Sequence, residues 1–233
     1  MSNPLVDISG SLDYVSRGGQ KLEKALNFFN ISPEGKICID CGASTGGFTD
    51  CLLKRGAKLV YAVDVGYGQL AWSLRTDERV ITMERTNIRY VMPDMLEEKP
   101  ELAVIDLSFI SLSLVLLVVY ELMAEPGEFG SQTLNPEAVC LIKPQFEAGK
   151  GKVGKKGVVR DPEIHKEVLD AFVQNSENAG FTVKGLTYSP VKGPKGNIEY
   201  LGWLCKSNVK RDQKSYIKID TGKIVSESHK ELA

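Results

Sequence analysis

The sequence predicts a single α/β domain in which a parallel β-sheet carries helices on both faces. Short apolar runs alternate with amphipathic segments along most of the 233 residues, and this alternation is typical of a parallel sheet. Three of the apolar runs end on an aspartate, namely Asp40, Asp64 and Asp106. Because open parallel sheets bind ligands at the carboxyl ends of their strands, the pattern also predicts that these carboxylates lie along one edge.

The amino-terminal half supplies the first four predicted strands. Leu22, Ala25, Leu26 and Phe29 recur at helical spacing, which predicts a helix that begins near Gly19. The further elements of this half are strands over 36–41, 58–64, 80–84 and 101–106 and helices over 47–55, 67–77 and 111–124.

The carboxyl-terminal half closes the sheet. A fifth apolar strand ends on Lys143 instead of an aspartate. Asp161 as N-cap and Pro162 at the first helical position predict the start of a helix. In chain order we expect a loop over 126–136, the strand over 139–143, a mobile loop over 143–160, the helix through about 179, a closing strand pair over 181–191 and 197–205, and a polar tail over 207–233 that ends in a helix over 221–232.

Composition restricts the classes of function. A hydrophobic content of 42%, a charged content of 25% and a net charge of −1 are ordinary for a soluble globular protein, so binding of nucleic acid would need a localised basic face. The amino terminus lacks the basic and apolar regions of a signal peptide. The longest apolar run, 110–124, is too short to span a bilayer. We therefore expect a cytoplasmic protein with no membrane partner.

The five cysteines predict buried, reduced thiols. Their number is odd and their contexts are apolar, which is typical of a reducing compartment. Cys38 and Cys41 form a C-x-x-C pair, but residues three apart on a strand point to opposite faces. The two histidines, His165 and His229, show no ligand spacing, so we expect no metal site.

A glycine-bearing turn after the first strand predicts the cofactor. Gly42, Gly46 and Gly47 allow positive φ and let a ligand lie against the main chain. The run departs from the dinucleotide pattern G-x-G-x-x-G, and Asp40 at the strand end disfavours a phosphate. S-adenosylmethionine has a sulfonium, an ammonium and no phosphate, so it suits this turn better than a nicotinamide cofactor does. Asp64, 24 residues after Asp40, suits the ribose hydroxyls of an adenosine.

Two charged residues in apolar strands have competing interpretations. Lys143 is either a surface cap or a partly buried amine; burial and a neighbouring cation would lower its pKa and make it a base near neutrality. Glu199 lies between Ile198 and Tyr200. Spacing alone slightly favours an outward-facing Glu199 on an edge strand over a buried, paired carboxylate.

Residues 143–160 are rich in cations and predict contacts with a phosphate backbone. Glu147 is the one acid among residues 143–159. The alternative is solvated loop charge without function. The segment contains a literal G-x-G-x-x-G at 149–154, but no strand leads into it and no helix starts there, so we do not interpret it as a dinucleotide site. The predicted phosphate contacts are Lys150, Lys152, Lys155, Lys156 and Arg160, together with Arg17 beside two glycines near the start of the first helix.

Six stretches, which follow one another in order over most of residues 14–205, match a known family. They are Tyr14-Val-Ser-Arg-Gly-Gly-Gln-Lys-Leu, Asp40-Cys-Gly-Ala-Ser-Thr-Gly-Gly-Phe-Thr-Asp, Ala62-Val-Asp-Val-Gly-Tyr-Gly-Gln-Leu, Val104-Ile-Asp-Leu-Ser-Phe-Ile-Ser, Leu141-Ile-Lys-Pro-Gln-Phe-Glu and Gly196-Asn-Ile-Glu-Tyr. With them the chain resembles the hemolysin A (TlyA) group of FtsJ-like ribosomal RNA 2′-O-methyltransferases. The resemblance implies a Rossmann-like, S-adenosylmethionine-dependent methyltransferase domain over 14–206, with a seven-stranded, mostly parallel sheet whose last strand runs antiparallel.

The resemblance also implies roles for single residues. The family's Lys-Asp-Lys-Glu tetrad falls on Lys21, Asp106, Lys143 and Glu199, so it makes Glu199 an expected active-site residue. Lys143 would take the proton of a ribose 2′-hydroxyl, Lys21 would lower the pKa of Lys143 by repulsion, and the two acids would position both amines. The acceptor would be ribosomal RNA or a ribosomal subunit, methylated at cytidine. The implied cofactor contacts are Asp40, Gly42, Ala43, Ser44, Gly46, Gly47, Phe48, Asp64, Val65, Thr86, Asn87 and Asp106.

Members of the family usually carry an S4-type RNA-binding domain ahead of the Tyr14 motif, and here 13 residues precede that motif. We expect residues 1–13 to be a tether left from such a domain, and the full-length protein to contain it. Three other functions stay open at this point. They are a methyltransferase for a small molecule, which the cationic segment disfavours, a membrane-acting hemolysin-like protein, and a catalytically weak RNA-binding protein.

Overall fold

The computed structural model describes residues 13–127, 135–207 and 219–232, and within them seven strands form one sheet. The strands are β1 (Ile37–Cys41), β2 (Leu59–Val63), β3 (Val80–Met83), β4 (Leu102–Ile105), β5 (Glu137–Ile142), β6 (Thr182–Tyr188) and β7 (Tyr200–Cys205). Their order across the sheet is β3-β2-β1-β4-β5-β7-β6. β7 runs antiparallel to both of its neighbours and the other pairs are parallel. The predicted sheet is therefore confirmed.

Helices cover both faces of this sheet, as predicted. They are α1 (Gly18–Phe29), α2 (Gly47–Lys54), α3 (Trp72–Arg75), α4 (Leu116–Leu122), α5 (Pro144–Glu147), α6 (Pro162–Asn178) and α7 (Thr221–Leu232). One apolar cluster unites the sheet with Leu26 of α1 and Leu52 of α2, and a second unites it with Val119 of α4 and Phe172 of α6. The two clusters are the core layers on either side of the strands.

Strand β1 shows how the period of two sorts its residues between these layers. Ile39 and Cys41 belong to one cluster and Cys38 to the other. The predicted divergence of the two C-x-x-C sulfurs is thus confirmed, and all five cysteines are free and buried. Among the residues that the structure describes, no group of three His, Cys, Asp or Glu side chains is arranged to hold a metal ion.

Two predicted helices are shorter than expected. The helix over 67–77 is wrong except for α3, because the chain from Asp64 to Gly68 forms a loop: Gly66 N donates to Asp64 Oδ1 at 2.6 Å, and Gly68 has a φ of 70° and donates to Glu84 Oε1 at 2.8 Å. The helix over 111–124 begins instead as a 3₁₀ turn at Leu112–Leu114, where the Ser111 hydroxyl accepts a hydrogen bond from the backbone, and only then becomes α4.

The region predicted as one mobile loop, 143–160, contains regular structure. It holds α5 and a 3₁₀ turn at Lys150–Lys152. The predicted cap of α6 is confirmed, since the Asp161 carboxylate accepts from Glu163 N at 3.0 Å and Pro162 is at the first position. The predicted terminal helix is confirmed as α7, which packs on α6 and β6.

Several expectations fall outside the described residues: most of the tether (1–12), most of the loop over 126–136 (128–134), and two parts of the tail (208–218 and 233). Within the described ranges, no helix combines the length and the apolar character needed to cross a membrane.

Candidate active site

The turn after β1 passes close to the end of β4. Gly42 has a φ of 99° and Gly46 a φ of 96°, so the expected left-handed glycines are confirmed at these positions. A Cβ on Gly42 would collide with the carbonyl oxygen of Asp106. Gly47 does not have a left-handed φ; a Cβ there would collide with Ser16 Oγ. The third glycine is therefore needed for packing against the segment before α1.

A cavity of about 460 Å³ lies beside this turn, where β1, β2 and β4 end. Two carboxylates, Asp64 and Asp106, line it, and none of its described lining residues is a lysine or an arginine. The volume suits a nucleoside-sized ligand, and the charge favours a cationic ligand over a phosphate. Seven of the predicted cofactor residues line this cavity, namely Gly42, Ser44, Asp64, Val65, Thr86, Asn87 and Asp106.

Asp64 is fixed in place by the backbone of two loops. Its Oδ2 accepts from Ser44 N at 2.8 Å, and its Oδ1 accepts from Gly66 N at 2.6 Å. The residue is only half-buried, and each carboxylate oxygen keeps a further lone pair. Asp64 can therefore accept hydroxyl groups of a ligand in the cavity.

Asp40 lies in a different environment. It is fully buried, its Oδ2 accepts from Thr49 Oγ1 at 2.7 Å, and its Oδ1 has no hydrogen-bond partner among the described residues. Burial raises the pKa of Asp40 to about 7, and the charges of Asp106 and Asp64 add to the effect. Neither Asp40 nor Gly46, both predicted as cofactor contacts, lines a cavity at the turn.

This raised pKa makes a prediction about stability. A buried aspartate that holds its proton up to a pKa of about 7 stabilises the fold below the unfolded pKa and loses that contribution as the pH rises from about 4 to about 7. Asp40→Asn is expected to remove this loss. The free energy of unfolding of the variant, relative to that of the parent, should therefore rise by up to about 4 kcal/mol from pH 4 to pH 8. Denaturant unfolding at both pH values measures it; a difference that does not change with pH would contradict the assignment.

A second cavity, of about 220 Å³, lies on the other side of the turn, next to α1. Lys21 and Arg17 line it, and Asp106 lines both cavities. The turn thus separates a cavity without lining cations from one with two. The remaining predicted cofactor residues that line a cavity do so here: Ala43, Gly47 and Phe48.

The first half of the predicted tetrad is a buried ion pair. Lys21 Nζ donates to Glu199 Oε2 at 2.6 Å. Glu199 is fully buried and Lys21 is 8% exposed. The outward-facing interpretation of Glu199 is therefore wrong. Since removal of one partner would leave a buried charge unpaired, we expect each member to hold the other in place.

The second half of the tetrad is a second ion pair. Lys143 Nζ lies 2.5 Å from Asp106 Oδ1 and donates to Ser108 Oγ at 3.0 Å. Lys143 is 8% exposed, so the surface-cap interpretation is wrong. An amine gains a lone pair only when it gives up a proton, and Ser108 Oγ is the hydrogen-bond acceptor that orients Lys143 Nζ.

Three residues that the sequence analysis missed contact the tetrad. Ser108 is one, and Gln145 Nε2 donates to Glu199 Oε1 at 3.4 Å. A Cβ on Gly193 would lie 2.5 Å from Cδ of Glu199. Ser108 and Gln145 each come two residues after a tetrad member, inside the family motifs, and that position was the available signal. Gly193 lies in a loop with no such signal.

The predicted RNA contacts form a separate group in the basic loop (residues 149–160). A cavity of about 360 Å³ is lined there by Lys152, Lys155, Lys156 and Arg160. Glu147 does not neutralise them, because it accepts hydrogen bonds from Ser111 Oγ and Leu112 N and its pKa is raised by burial. Lys152 is paired with Glu167, Lys150 begins the 3₁₀ turn, and Arg17 lies apart at the second cavity.

The fold and the site together define a class. A seven-stranded sheet of this order, with carboxylates beside a glycine turn at the strand ends, is the Rossmann-like fold of S-adenosylmethionine-dependent methyltransferases. The FtsJ-like methyltransferase family model matches residues 14–206. The chain belongs to this family and is a methyltransferase.

Individual relatives agree with this membership. YqxC of Bacillus subtilis, a candidate rRNA methyltransferase, is 50% identical over 230 residues, which are 98% of this chain and 79% of the relative. TlyA of Mycobacterium tuberculosis, a 16S/23S rRNA (cytidine-2′-O)-methyltransferase, is 48% identical over 191 residues, 82% of this chain and 68% of the relative. A solved structure of a candidate hemolysin from Streptococcus thermophilus is 48% identical with a TM-score of 0.86, over 95% of this chain and 76% of the other. The resemblance to the TlyA group is confirmed.

Proposed function

We propose that the chain transfers a methyl group from S-adenosylmethionine to a ribose 2′-hydroxyl of ribosomal RNA, at cytidine, in the cytoplasm. The observation that carries this proposal is the amine of Lys143, which Asp106 and Ser108 hold beside the larger cavity. Two carboxylates line this cavity, and no lysine or arginine lines it among the residues that the structure describes. The relative from Mycobacterium tuberculosis, named for cytidine 2′-O-methylation, supports the choice of acceptor.

The residues of the larger cavity fit this cofactor. When bound, S-adenosylmethionine supplies an electrophilic methyl group on a sulfonium. Asp64 would accept hydrogen bonds from its ribose hydroxyls, and the polar side chains of Thr86 and Asn87 line the same cavity. The carboxylates favour its positive charge, and a phosphate-bearing cofactor would meet them as like charges.

The tetrad supplies the base and its supports. Lys143 would take the 2′-hydroxyl proton at the lone pair of Nζ, while Asp106 and Ser108 fix the orientation of the amine. Glu199 is fully buried, so it acts by holding Lys21, which lines the second cavity. Proximity and orientation of hydroxyl and methyl group then supply much of the acceleration.

The surface near the site suits a nucleic acid acceptor. Phe109, directly after Ser108, is 90% exposed and has a φ of 66°, and its ring packs 5.0 Å from that of Phe146. An exposed aromatic ring is a stacking platform for a base. A small-molecule acceptor would need neither this ring nor the cations of the basic loop.

Transfer of labelled methyl groups tests the proposal. The chain is incubated with methyl-labelled S-adenosylmethionine and unmodified ribosomal subunits or their RNA. We expect label in the RNA that survives alkaline hydrolysis as a resistant dinucleotide, because a 2′-O-methyl group blocks cleavage of the adjacent phosphodiester. Label on a base, or none in any ribosomal RNA although the cofactor binds, would refute the proposed acceptor.

The cofactor contacts make a paired prediction. Asp64→Asn keeps the shape of a side chain that lines the cavity and removes its charge, so the Kd for S-adenosylmethionine should rise about tenfold. Asp40→Asn is the matched control: it lies behind the turn and should change the Kd by less than about threefold. Calorimetry measures both. Equal effects of the two substitutions would show that Asp40 contacts the cofactor as directly as Asp64.

The basic loop makes a prediction about RNA. We expect the chain to bind ribosomal RNA weakly and with a steep salt dependence. Lys155→Ala/Lys156→Ala should reduce the slope of log K against log salt by about 1 to 2, whereas Lys166→Ala/Lys223→Ala, on exposed helix faces, should leave it unchanged. An S4-type domain fused ahead of residue 14 should raise affinity about tenfold or more. Tight binding by this chain that salt does not weaken would contradict the proposal.

A further inference from the structure

Asn197 is a buried amide between the basic loop and the start of β7. It is 2% exposed. Its Oδ1 accepts from Val159 N at 3.0 Å, and its Nδ2 donates to Gly157 O at 2.9 Å and to Pro194 O at 3.4 Å. Two of these three partners belong to the basic loop. A side chain buried in this way, with both of its polar groups in use, fixes the backbone on either side of it.

Val159 of the basic loop has a second contact, through its carbonyl group. The carbonyl oxygen of Val159 lies 3.0 Å from His165 Nε2, and Nδ1 of this buried histidine lies 2.7 Å from Tyr200 Oη. Tyr200 directly follows Glu199, and Asn197 comes two residues before Glu199. The end of the basic loop is thus attached to the chain on both sides of the tetrad glutamate.

Two exposed lysines of the basic loop lie next to the residues that Asn197 contacts. Lys155 and Lys156 are exposed and come directly before Gly157. Gly157 N donates to Gly154 O at 2.8 Å, and Gly154 N donates to Val158 O at 3.2 Å, so the lysines are at the tip of a tight turn. The orientation of this turn relative to β7 therefore sets where the two ammonium groups lie.

We propose that Asn197 is a positioning residue that sets the distance from the RNA-binding lysines to the active site. This proposal rests on the proposed function, because it takes RNA as the substrate. A phosphate held by Lys155 or Lys156 places the rest of the RNA at a distance that the Asn197 contacts fix. Asn197 contributes to RNA capture through the loop and does not contact RNA.

Asn197→Asp is the test substitution. It keeps the size of the side chain and the acceptor for Val159 N, but it sets an oxygen against the carbonyl oxygen of Gly157. The KM for RNA should rise about tenfold while kcat at saturating RNA and the Kd for S-adenosylmethionine stay within about twofold. Asn178→Asp, exposed at the end of α6, is the matched control and should change none of these values.

A double-mutant cycle shows whether Asn197 acts through the lysines. In a Lys155→Ala/Lys156→Ala background, Asn197→Asp should raise the KM by no more than about twofold further, because the groups that it positions are gone. Multiplicative effects would overturn the proposal. Asn197→Ser, whose hydroxyl is too short for both partners, repeats the cycle.

Failure of the inference can be told from failure of the proposed function. If the unsubstituted chain transfers no methyl group to RNA, the proposed function fails, and the same cycle is measured on RNA affinity. Absence of RNA binding, or equal losses of kcat and cofactor affinity in the Asn197 variants, would overturn the inference. Loss of the fold in both Asn197 variants would show a purely structural role and would overturn it too.

Discussion

Replacement of Lys143 by alanine is expected to abolish methyl transfer, with kcat lower by about 10²- to 10⁴-fold, which is the contribution typical of a general base. The reason is local. Lys143 Nζ lies against Asp106 and Ser108, and alanine removes the group that would take the 2′-hydroxyl proton. The cavity that would hold the cofactor is not lined by Lys143, so the Kd for S-adenosylmethionine should stay within about twofold.

Lys143→Arg separates base catalysis from charge. The guanidinium keeps the positive charge beside Asp106, but it does not give up a proton in proteins. We therefore expect the arginine variant to be as inactive as the alanine variant. Lys223→Ala, exposed on α7, is the control for a lost lysine. Activity in Lys143→Arg would show that the residue acts by charge, and activity in Lys143→Ala would refute its role as base.

The fold was largely predictable because its central strands, β1 and β4, are buried on both faces. Such strands appear in the sequence as nearly continuous apolar runs, so the runs from Ile37 to Cys41 and from Leu102 to Ile105 were easy to locate. The helix predicted over 67–77 was wrong for a local reason. Glycines at 66 and 68 and the carboxylate of Asp64 form a loop there, and local hydrogen bonds of this kind compete with helical ones.

Asp40 and Asp64 show why the site was only partly predictable. Both end apolar runs, and both were predicted to contact the cofactor. The structure shows that Asp40 is inside β1, where the period of two turns its side chain towards Thr49 of α2. Asp64 comes one residue after the end of β2 and faces the cavity. Asp40 thus lies one residue before the end of its strand and Asp64 one residue after the end of its own, and this shift of two positions separates a core residue from a site residue.

Glu199 illustrates a limit of a different kind. Its partner Lys21 is 178 residues away along the chain, and no local spacing reports a pair of that separation. The residue's own surroundings favoured an exposed position, while the family resemblance made it an active-site residue. Its burial is a consequence of tertiary structure, because β7 pairs with β5 and α1 packs against β7.

Gly193→Ala is expected to lower kcat about 100-fold through this same pair. Gly193 has a φ of −68°, which alanine adopts without strain, so any effect comes from the added atom. That Cβ would lie 2.5 Å from Cδ of Glu199, a side chain that is fully buried and has no room to retreat. Loss of the Lys21 contact should also destabilise the fold by about 3 kcal/mol.

A second background makes this prediction specific. In Glu199→Ala, the colliding carboxylate is gone, so adding Gly193→Ala should lower kcat by no more than about twofold further. Gly222→Ala, where the nearest atom lies at an ordinary 3.5 Å, controls for the methyl group itself. If Gly193→Ala lowers kcat equally in both backgrounds, the added methyl group acts through the second cavity, which Gly193 also lines, and not through Glu199. Dependence on Glu199 would instead mean that the loop at 193 is the wall that holds the carboxylate against Lys21.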